Sequence, residues 1–565
     1  MEADQLPHSW NPVLRRVLSA RGVKHESDLD TSLKVLAHVR QLSGVTSAVK
    51  RLVFAAKQNE SILIIGDYDA DGATSTAVAW RALRRMGLQK IGYLVPDRFH
   101  FGYGLTPEIV EVAKTKEPNL IITVDNGISS LDGVESARSY GIDVIVTDHH
   151  LPGSELPNAV AIVNPNLAGD EFPSKNLAGV GVIFYVMSAL KTALVKEEWF
   201  EKKKIKVPNL TDLLDLVALG TVADVAVLDQ NNRRLVANGI ARIRAGEGNP
   251  GIKALIDTAA RETHKIDTAD LGFAIAPRIN AAGRMADMSV GIQCLVSDNN
   301  ATCQGLALEL DRLNRERREK ERAMNDEAVS IAESLFSDKV ENTPSAICIY
   351  RNHWHKGVLG ITAARVKDKY YRPVVAFADA DDSTLTGSAR SIEGLHIRDV
   401  FEKMIAIEPD LIIRFGGHAM AAGLSIKKND LERFASVLST VVEKQVGEDL
   451  LNRVMFTDGA LEDEQLSLEF AEMLTNAAPW GHGFFEPTFD GVFKIVNRKV
   501  VGADHAKLKI RQDHGKVEVD AIAFGAANQT WFENSLKIRA VYKLGVNDYL
   551  GVKTLQMILN YVESV

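Results

Sequence analysis

Apolar runs of strand length alternate with helical patterns through the first half of the chain. These runs are Ile62–Ile65, Gly92–Val95, Leu120–Val124 and Val144–Val146. Strands separated by helices are typical of a parallel sheet with helices on its faces. The first crossover helix is predicted to begin at about residue 73 and to end at residue 86, since Gly87 is a good C-cap. Residues 46–240 are therefore predicted to form an α/β domain, which follows a helical segment over residues 1–45.

A helical span is predicted next, over about residues 241–340. The chain has no Pro or Gly from Leu306 to Val340, and acidic and basic residues are interspersed through Asp311–Arg322. This pattern is typical of one long, exposed helix with salt bridges along its surface. A solvated connector is the favoured interpretation of its arginines, and contact with DNA is the alternative.

The last two regions have different patterns. Residues 341–446 are predicted to form a second α/β domain, and residues 452–565 a small β-barrel or sandwich of short alternating segments. The elements predicted in the α/β domain are strands at Ala346–Tyr350 and Val374–Phe377, a helix near Ile361–Lys367 and a glycine-rich turn at Arg414–His418. The segments predicted in the barrel are Lys507–Arg511, Val517–Phe524, Ala540–Tyr542 and Leu555–Tyr561.

Composition limits the class of protein. With 46% hydrophobic and 25% charged residues, the 565-residue chain is expected to be soluble, globular and divided into several domains. Its apolar runs are shorter than the ~20 residues of a spanning helix, and its start lacks the pattern of a signal peptide. Three cysteines without a CxxC pair argue against a disulfide framework or a thiolate zinc site and suit the cytoplasm. The net charge of −8 is not that of a protein that holds duplex DNA by charge alone.

The strongest chemical signal is a run of aspartates directly after the first predicted strand, Gly66-Asp-Tyr-Asp-Ala-Asp-Gly72. The DxDxDG pattern also opens an EF-hand loop, but the twelfth position from Asp67 is Val78 instead of the glutamate that binds calcium. Three carboxylates at one strand end repel one another unless a cation or a proton neutralises them. A plain surface turn, the alternative, does not account for this crowding.

Three further polar clusters come at comparable places. Thr123–Gly127 and Val146–His150 follow predicted strands, and Gly220–Val225 ends a helical run. Ligands of open parallel sheets bind beyond the carboxyl ends of the strands, so the clusters are expected to converge in one cleft. Carboxylates mixed with imidazole suit two Mn²⁺ or Mg²⁺ ions, which are the usual apparatus for attack of hydroxide on phosphorus. The sequence therefore predicts a phosphoester hydrolase.

These clusters, with the triplet Asp148-His149-His150, resemble the DHH phosphoesterase superfamily. Later motifs narrow the resemblance to its RecJ family of single-strand-specific 5′→3′ DNA exonucleases, over nearly the whole chain. These motifs are Pro277–Arg284, His353–Ile361, Gly387–Ser391 and Arg414–Gly423. The resemblance implies a DHH-type parallel-sheet domain joined by a long helix to a DHHA1-type α/β domain, plus a C-terminal OB-like barrel. It also implies release of 5′-mononucleotides by a two-metal mechanism, in DNA repair and recombination.

The resemblance assigns candidate metal ligands residue by residue. Asp69 matches a ligand of the first ion and Asp71 one of the second. Asp125 matches the carboxylate that bridges the two ions. His149 and Asp224 complete the shell of the second ion.

Two further residues, His150 and Asp67, complete the predicted catalytic set. His150 is placed to orient the attacked phosphate or to protonate the leaving oxygen. Many superfamily members have a histidine at the position of Ile65, so the first ion lacks one ligand here. Asp67 or water is expected to take its place.

Other residues are expected to hold the DNA strand. The resemblance makes Arg98, Ser388 and Arg390 anchors of the 5′-terminal phosphate, and a guanidinium binds such a dianion through two hydrogen bonds. The further candidates are Gly416, Gly417 and His418 in the glycine-rich turn, Arg278, Asn280 and Arg284 in a channel, and Lys507, Lys509 and Arg511 on one face of a barrel strand. The alternatives are a surface salt bridge for Arg98, a tight turn for the glycine pair, helix packing for Arg278 and a solvated face for the barrel strand.

The leading hypothesis is an exonuclease that draws a 5′ end through a channel between the two α/β domains. The alternatives are a small-substrate DHH hydrolase and a non-catalytic scaffold on the same fold. The helical span and the barrel argue against the first, and the presence of all five metal ligands argues against the second. The implied partners are single-stranded DNA, single-strand-binding protein and a helicase, with no membrane.

Overall fold

The computed structural model describes residues 6–96, 104–336, 344–446, 451, 454–549 and 551–565. The chain forms two compact units. The first unit comprises Met1–Gly283, Met288–Leu308 and Phe456–Val565, and the second comprises Arg284–Asp287 and Glu309–Met455.

A parallel sheet is the centre of the first unit, and its strand order among the described residues is β2-β1-β3-β4-β5. The strands are β1 (Ile62–Gly66), β2 (Ile91–Leu94), β3 (Leu120–Val124), β4 (Asp143–Thr147) and β5 (Ala161–Val163). Every residue of β1 and β3 is buried, which explains why these strands are continuous apolar runs in the sequence. The predicted parallel sheet is confirmed, and only the three-residue strand β5 lacked a recognisable pattern.

Helices occupy most of the remaining chain up to residue 296. They are α1 (Pro12–Ala20), α2 (Val45–Gln58), α3 (Ala70–Arg85), α4 (Pro107–Lys114), α5 (Leu131–Ser139), α6 (Gly179–Lys196), α7 (Trp199–Lys203), α8 (Leu214–Ala223), α9 (Gln230–Arg244), α10 (Pro250–Thr258), α11 (Thr268–Asp270), α12 (Ala276–Met285) and α13 (Ser289–Val296). A π-helical turn, Leu271–Ile275, joins α11 to α12. Helix α6 is long and apolar enough to cross a membrane, but 61% of it is buried inside the fold, as in a core helix of a globular protein.

The predicted long helix is α14 (Asn300–Phe336), which continues from the first unit into the second. The second unit contains a mixed sheet of order β6-β7-β8-β10-β9. Its elements are β6 (Ile347–Tyr350), α15 (Leu359–Tyr370), β7 (Val374–Asp379), β8 (Thr384–Arg390), α16 (Ile397–Ile407), β9 (Arg414–Gly417), β10 (Ala421–Lys427) and α17 (Leu431–Gln445). The glycine-rich turn predicted at Arg414–His418 is wrong, because Arg414–Gly417 pairs antiparallel with β10. Pairing at the sheet edge overrides the poor strand propensity of glycine.

The C-terminal region folds into a closed barrel of strand order β11-β12-β13-β15-β14, as predicted. Its elements are α18 (Leu468–Ala477), β11 (Phe489–Val501), β12 (His505–Gln512), β13 (Glu518–Ala523), α19 (Thr530–Asn534), β14 (Lys537–Tyr549) and β15 (Val552–Ser564). Phe489, Phe493 and Tyr542 are fully buried inside it. The barrel therefore has its own aromatic core within the first unit.

Candidate metal centre and nucleic-acid interface

The aspartate run lies at the carboxyl end of β1, where the chain turns into α3. Asp69 caps this helix, since its Oδ1 accepts a hydrogen bond from the amide of Gly72 at 2.9 Å. The cap starts α3 at Ala70, three residues earlier than predicted, and puts Asp71 in its first turn. The turn requires glycine at position 72, because a Cβ there would lie 2.5 Å from the carbonyl oxygen of Asp67.

Asp71 is held by the start of a second helix. Its carboxylate is buried and accepts hydrogen bonds from the amides of Gly179 at 2.6 Å and Val180 at 2.9 Å. Amides of a helix N-terminus stabilise an anion, and Gly179 is the first residue of α6. A Cβ on Gly179 would lie 2.6 Å from the Cβ of Asp125, so only glycine allows this approach. Sequence reasoning missed Gly179 and Val180. The small residues around them are the only local sign that the start of α6 lies close to Asp71 and Asp125.

Asp125 follows β3 in a left-handed conformation with a φ of 63°. Its amide donates to the carbonyl oxygen of Thr147 at 3.0 Å. The side chain of Asn126 donates to the carbonyl oxygens of Ile65 and Val124 at 3.1 and 2.9 Å, which fixes the turn. A buried carboxylate held in a sparsely populated conformation is typical of a functional site.

His149 brings three of the carboxylates together. Its Nε2 lies 3.1 Å from Asp125 Oδ1, 3.7 Å from Asp224 Oδ2 and 4.0 Å from Asp71 Oδ2. Asp224 is the C-terminal cap of α8, whereas the other two follow or adjoin strand ends. The fold therefore brings residues of all four sequence clusters together, as predicted.

His150 is paired with the buried carboxylate of Asp148. The distance between Nδ1 of His150 and Oδ1 of Asp148 is 2.7 Å, and the amides of His149 and Ile128 also donate to Asp148. Burial opposes the charged imidazole, but the hydrogen bond to Asp148 and the nearby carboxylates outweigh burial and raise the pKa of His150 to about 9. A protonated imidazole at this position can donate to a phosphate or to a leaving oxygen.

The carboxylates of the centre are too crowded to be ionised together without a counter-ion. Burial, followed by repulsion from neighbouring aspartates, raises the pKa of Asp71 to about 7. The same two causes raise the pKa values of Asp125 and Asp224 well above their usual range. Divalent cations remove this repulsion, and a set of carboxylate oxygens with imidazole nitrogen fits Mn²⁺ or Mg²⁺.

In the described part of the chain, three groups of side chains could each hold a metal ion, with ligand atoms within 4.8 Å of one another. The groups are Asp67, Asp69 and Asp125; Asp71, His149 and Asp224; and Asp125, His149 and His150. The groups overlap at Asp125 and His149, as expected for two ions that share a bridging carboxylate. Ile65 is buried inside β1 and offers no ligand, while Asp67 lies in the group with Asp69.

Helix α12, which contains the predicted DNA-channel motif, packs on the aspartate loop. Asn280 Oδ1 accepts a hydrogen bond from the amide of Ala70 at 2.7 Å. Gly283 lies so close that a Cβ there would be 1.8 Å from the carbonyl oxygen of Tyr68. The motif therefore contacts the backbone on both sides of Asp69.

The two arginines of the same motif contact backbone carbonyls. Arg278 is buried and donates to the carbonyl oxygen of Ala274 at 2.5 Å. This contact fits the alternative named for Arg278 in the sequence analysis, a role in helix packing. Arg284 belongs to the second unit and donates to Gly357 at 3.3 Å. Contact of either arginine with DNA remains a prediction.

The second unit brings together part of the predicted phosphate anchor. Arg390 donates to Ser388 Oγ at 3.1 Å, and a Cβ on Gly360 would lie 2.4 Å from Arg390 Nη2. The guanidinium therefore lies against the first turn of α15, where helix amides favour an anion. Gly416 is in register with Gly423, and Gly423 with Ser388, across β9, β10 and β8.

Three other predicted anchors differ in their surroundings. Gly417 has a φ of 143°, where its Cβ would clash with Ala422, so this position needs glycine. His418 follows it on the exposed turn between β9 and β10. Arg98 lies outside the described residues.

Family models match successive parts of the chain. They are the DHH family N-terminal domain over residues 61–221, the DHHA1 domain over 343–444 and the RecJ OB domain over 457–561. The single-stranded-DNA-specific exonuclease RecJ of Salmonella typhimurium is 48% identical over 560 residues, which cover 99% of this chain and 97% of that protein. The chain belongs to the RecJ family.

Solved RecJ structures have the same fold. RecJ from Thermus thermophilus in complex with Mn²⁺ has a TM-score of 0.79 and 28% identity, over 98% of this chain and 76% of that one. Its complex with Mg²⁺ has a TM-score of 0.74 and 26% identity, over 98% and 75% of the two chains. These matches confirm the predicted fold class, with its DHH sheet, DHHA1 domain and terminal OB barrel.

Acidic side chains lie beside the basic residues on one face of the RecJ-type barrel. Lys507, Lys509 and Arg511 alternate with buried residues of β12 and share one face, as predicted. However, Lys507 forms an ion pair with Asp520 at 3.1 Å, and Glu518 is the strand partner of Arg511. Both acids lie on β13, so the sequence of β12 alone does not show them.

Proposed function

We propose that this chain is a single-strand-specific 5′→3′ DNA exonuclease that releases 5′-mononucleotides in DNA repair and recombination. The observation that carries the proposal is the overlap of the ligand groups at Asp125 and His149, on the carboxyl edge of a DHH sheet. Membership of the RecJ family supplies the substrate class. The barrel and the DHHA1 domain, matched over 457–561 and 343–444, argue against a small-substrate enzyme.

The side chains of the centre would hold two divalent ions, Mn²⁺ or Mg²⁺. Asp67, Asp69 and Asp125 would hold one ion, and Asp71, His149 and Asp224 would hold the other together with Asp125. Such ions would activate water for attack on phosphorus and offset the charge on the attacked phosphate.

The protein's own groups prepare this chemistry. The α6 amides fix Asp71, and Asn126 fixes the turn that carries Asp125. Asp148 orients His150 and favours its charged form, so His150 holds a proton for the phosphate or the leaving oxygen.

The strand is held by the remaining candidate residues. We assign the 5′-phosphate to Arg98, Ser388 and Arg390, and the adjoining backbone to Gly416, Gly417, His418, Arg278, Asn280, Arg284, Lys507, Lys509 and Arg511. The corresponding domains are residues 1–45, 46–240, 241–340, 341–446 and 452–565. A cytoplasmic location and cooperation with single-strand-binding protein and a helicase belong to the same proposal.

The test is Mn²⁺-dependent digestion of single-stranded DNA labelled at either end. We expect mononucleotides from the 5′ end only, resistance of blunt duplex DNA, and loss of the activity in Asp125→Ala. Asp257→Asn, an exposed aspartate on α10, is the control and should digest like the wild type. Hydrolysis of short oligonucleotides or cyclic dinucleotides with long DNA left intact would establish the small-substrate alternative. Tight binding of DNA without cleavage would indicate a scaffold.

A further inference from the structure

Exposed apolar and aromatic side chains lie on segments that adjoin the end of α8, where Asp224 is located. They are Val225, Phe273, His482 and Phe485, here named the aromatic rim. Phe273 is 81% exposed, Val225 62% and Phe485 61%, and His482 is exposed as well. Single exposed apolar residues are ordinary, but several that adjoin a polar site indicate a binding surface.

Val225 connects the rim to the metal centre. It directly follows Asp224 and has a φ of 55°, which is unfavourable for a β-branched residue. Its carbonyl oxygen lies 2.6 Å from Nδ1 of His482. The ring of His482 is in turn 6.0 Å from that of Phe485, between centroids. One exposed ring, that of His482, therefore contacts the residue next to a predicted metal ligand, and the ring of Phe485 lies beside it.

Phe273 is presented by the π-helical turn before α12. Its neighbours Leu271, Ala274 and Ile275 are buried, and Phe273 alone of these apolar side chains faces solvent. π-Helical turns occur frequently at functional sites.

Two contacts place this helical segment beside the other rim residues. A Cβ on Gly272 would lie 3.3 Å from Val222, which is near the end of α8. The hydroxyl of Thr268 donates to the carbonyl oxygen of Trp480 at 2.6 Å. The segments that carry Val225, Phe273 and His482 therefore adjoin one another within the first unit.

The segment with His482 and Phe485 has a fixed backbone. Trp480 stacks on Phe484 with centroids 5.2 Å apart and planes at 14°, and both are buried. Arg21 donates to the carbonyl oxygen of Phe485. Rings that are exposed on a fixed backbone lose little conformational entropy when a ligand stacks on them.

We propose that the aromatic rim is a stacking site for the nucleobases of single-stranded DNA next to the scissile phosphate. The proposal rests on the proposed function, which puts the phosphate backbone at the metal centre and leaves the bases to be accommodated beside it. Every base has a flat π-face, so stacking on aromatic rings holds a strand without selecting a sequence. A rim of rings and one aliphatic side chain has this chemistry, whereas it offers little to a phosphate.

The test compares normal and abasic DNA. Affinities for a phosphorothioate oligonucleotide with bases, and for the same oligonucleotide made abasic in its first nucleotides, are measured by fluorescence anisotropy with Mn²⁺. We expect Phe273→Ala and Phe485→Ala each to weaken binding of the normal oligonucleotide about tenfold and to leave abasic binding unchanged. Phe54→Ala is the control. Phe54 is 52% exposed on α2, which leads into the amino end of β1, whereas the metal centre lies at the carboxyl end of that strand.

Equal losses for both oligonucleotides, or no loss for either, would overturn the stacking site. Thermal melting shows whether each variant is folded. The double variant, with both Phe273 and Phe485 changed to Ala, gives a second measurement of the difference between normal and abasic binding. The failure of the two proposals can be told apart. Normal 5′ digestion with no dependence on bases overturns the rim alone, whereas base-dependent binding without digestion overturns the proposed function alone.

Discussion

The metal centre of the first unit and the Arg390–Ser388 cluster of the second have opposite electrostatic requirements. The centre buries carboxylates against the amides at the start of α6, and its acids repel one another until cations bind. The cluster holds a guanidinium and a hydroxyl against the start of α15, where an anion is favoured. We therefore predict that hydrolysis at the centre and the proposed 5′-end recognition at the cluster are separable. Changes in the first unit should affect rate and metal affinity, and changes in the second should affect substrate affinity.

The largest effect is expected for Asp125→Asn. Asparagine tolerates the left-handed conformation at this position, so the fold should persist while digestion falls at least about a thousandfold. Because burial and repulsion raise the pKa of Asp125, its ionised form destabilises the metal-free protein at neutral pH. The variant should therefore melt at a higher temperature than the wild type in EDTA, as measured by calorimetry. A lower melting temperature would show that the carboxylate is not strained by its neighbours.

The next largest effect is expected for Gly179→Ala. The added Cβ would collide with the Cβ of Asp125 and push α6 away from Asp71, which should weaken Mn²⁺ binding about 10–100-fold. Titration calorimetry without DNA measures this directly. Gly305→Ala is the matched control, because a Cβ there meets no atom within 4 Å. Unchanged metal affinity would mean that the contact of α6 does not position the ligands.

A smaller effect is expected at Asn280. Its Oδ1 accepts a hydrogen bond from the amide of Ala70, which lies between the candidate ligands Asp69 and Asp71 in the chain. Asn280→Ala should weaken Mn²⁺ binding about tenfold, and Asn280→Asp, which keeps an acceptor, should recover most of it. If Asn280 instead acts on DNA through its amide group, both variants should lose DNA affinity and neither should lose metal affinity. Calorimetry and anisotropy together separate these results.

The smallest effect is expected for Arg390→Lys in the second unit. Lysine keeps the charge but loses the two-pronged geometry, so KM for 5′-phosphorylated DNA should rise about tenfold while kcat stays the same. DNA with a 5′-hydroxyl should be digested as by the wild type. Arg398→Lys, on the exposed face of α16, is the control. A fall in kcat with unchanged KM would contradict the separation of the two regions.

Sequence reasoning marked most of the candidate metal ligands because they come directly after strands, where a short pattern is visible, whereas Asp224 ends helix α8. It missed what holds them, since Gly179 contacts Asp71 across 108 residues and Asn280 contacts Ala70 across 210, and no local pattern records such contacts. It was wrong at Arg414–Gly417, because sheet pairing overrode the local preference of glycine. The acids opposite β12 were missed for a related reason, since strand partners are set by the register of the barrel.

The central claim is that two ions share Asp125 in the first unit. The most direct measurement is titration of the metal-free protein with Mn²⁺ by calorimetry, for the wild type and for Asp125→Asn. We predict two Mn²⁺ ions bound by each wild-type chain, and a variant in which the affinity of both sites falls together. One ion per wild-type chain, or a variant that keeps two ions at wild-type affinity, would contradict the claim.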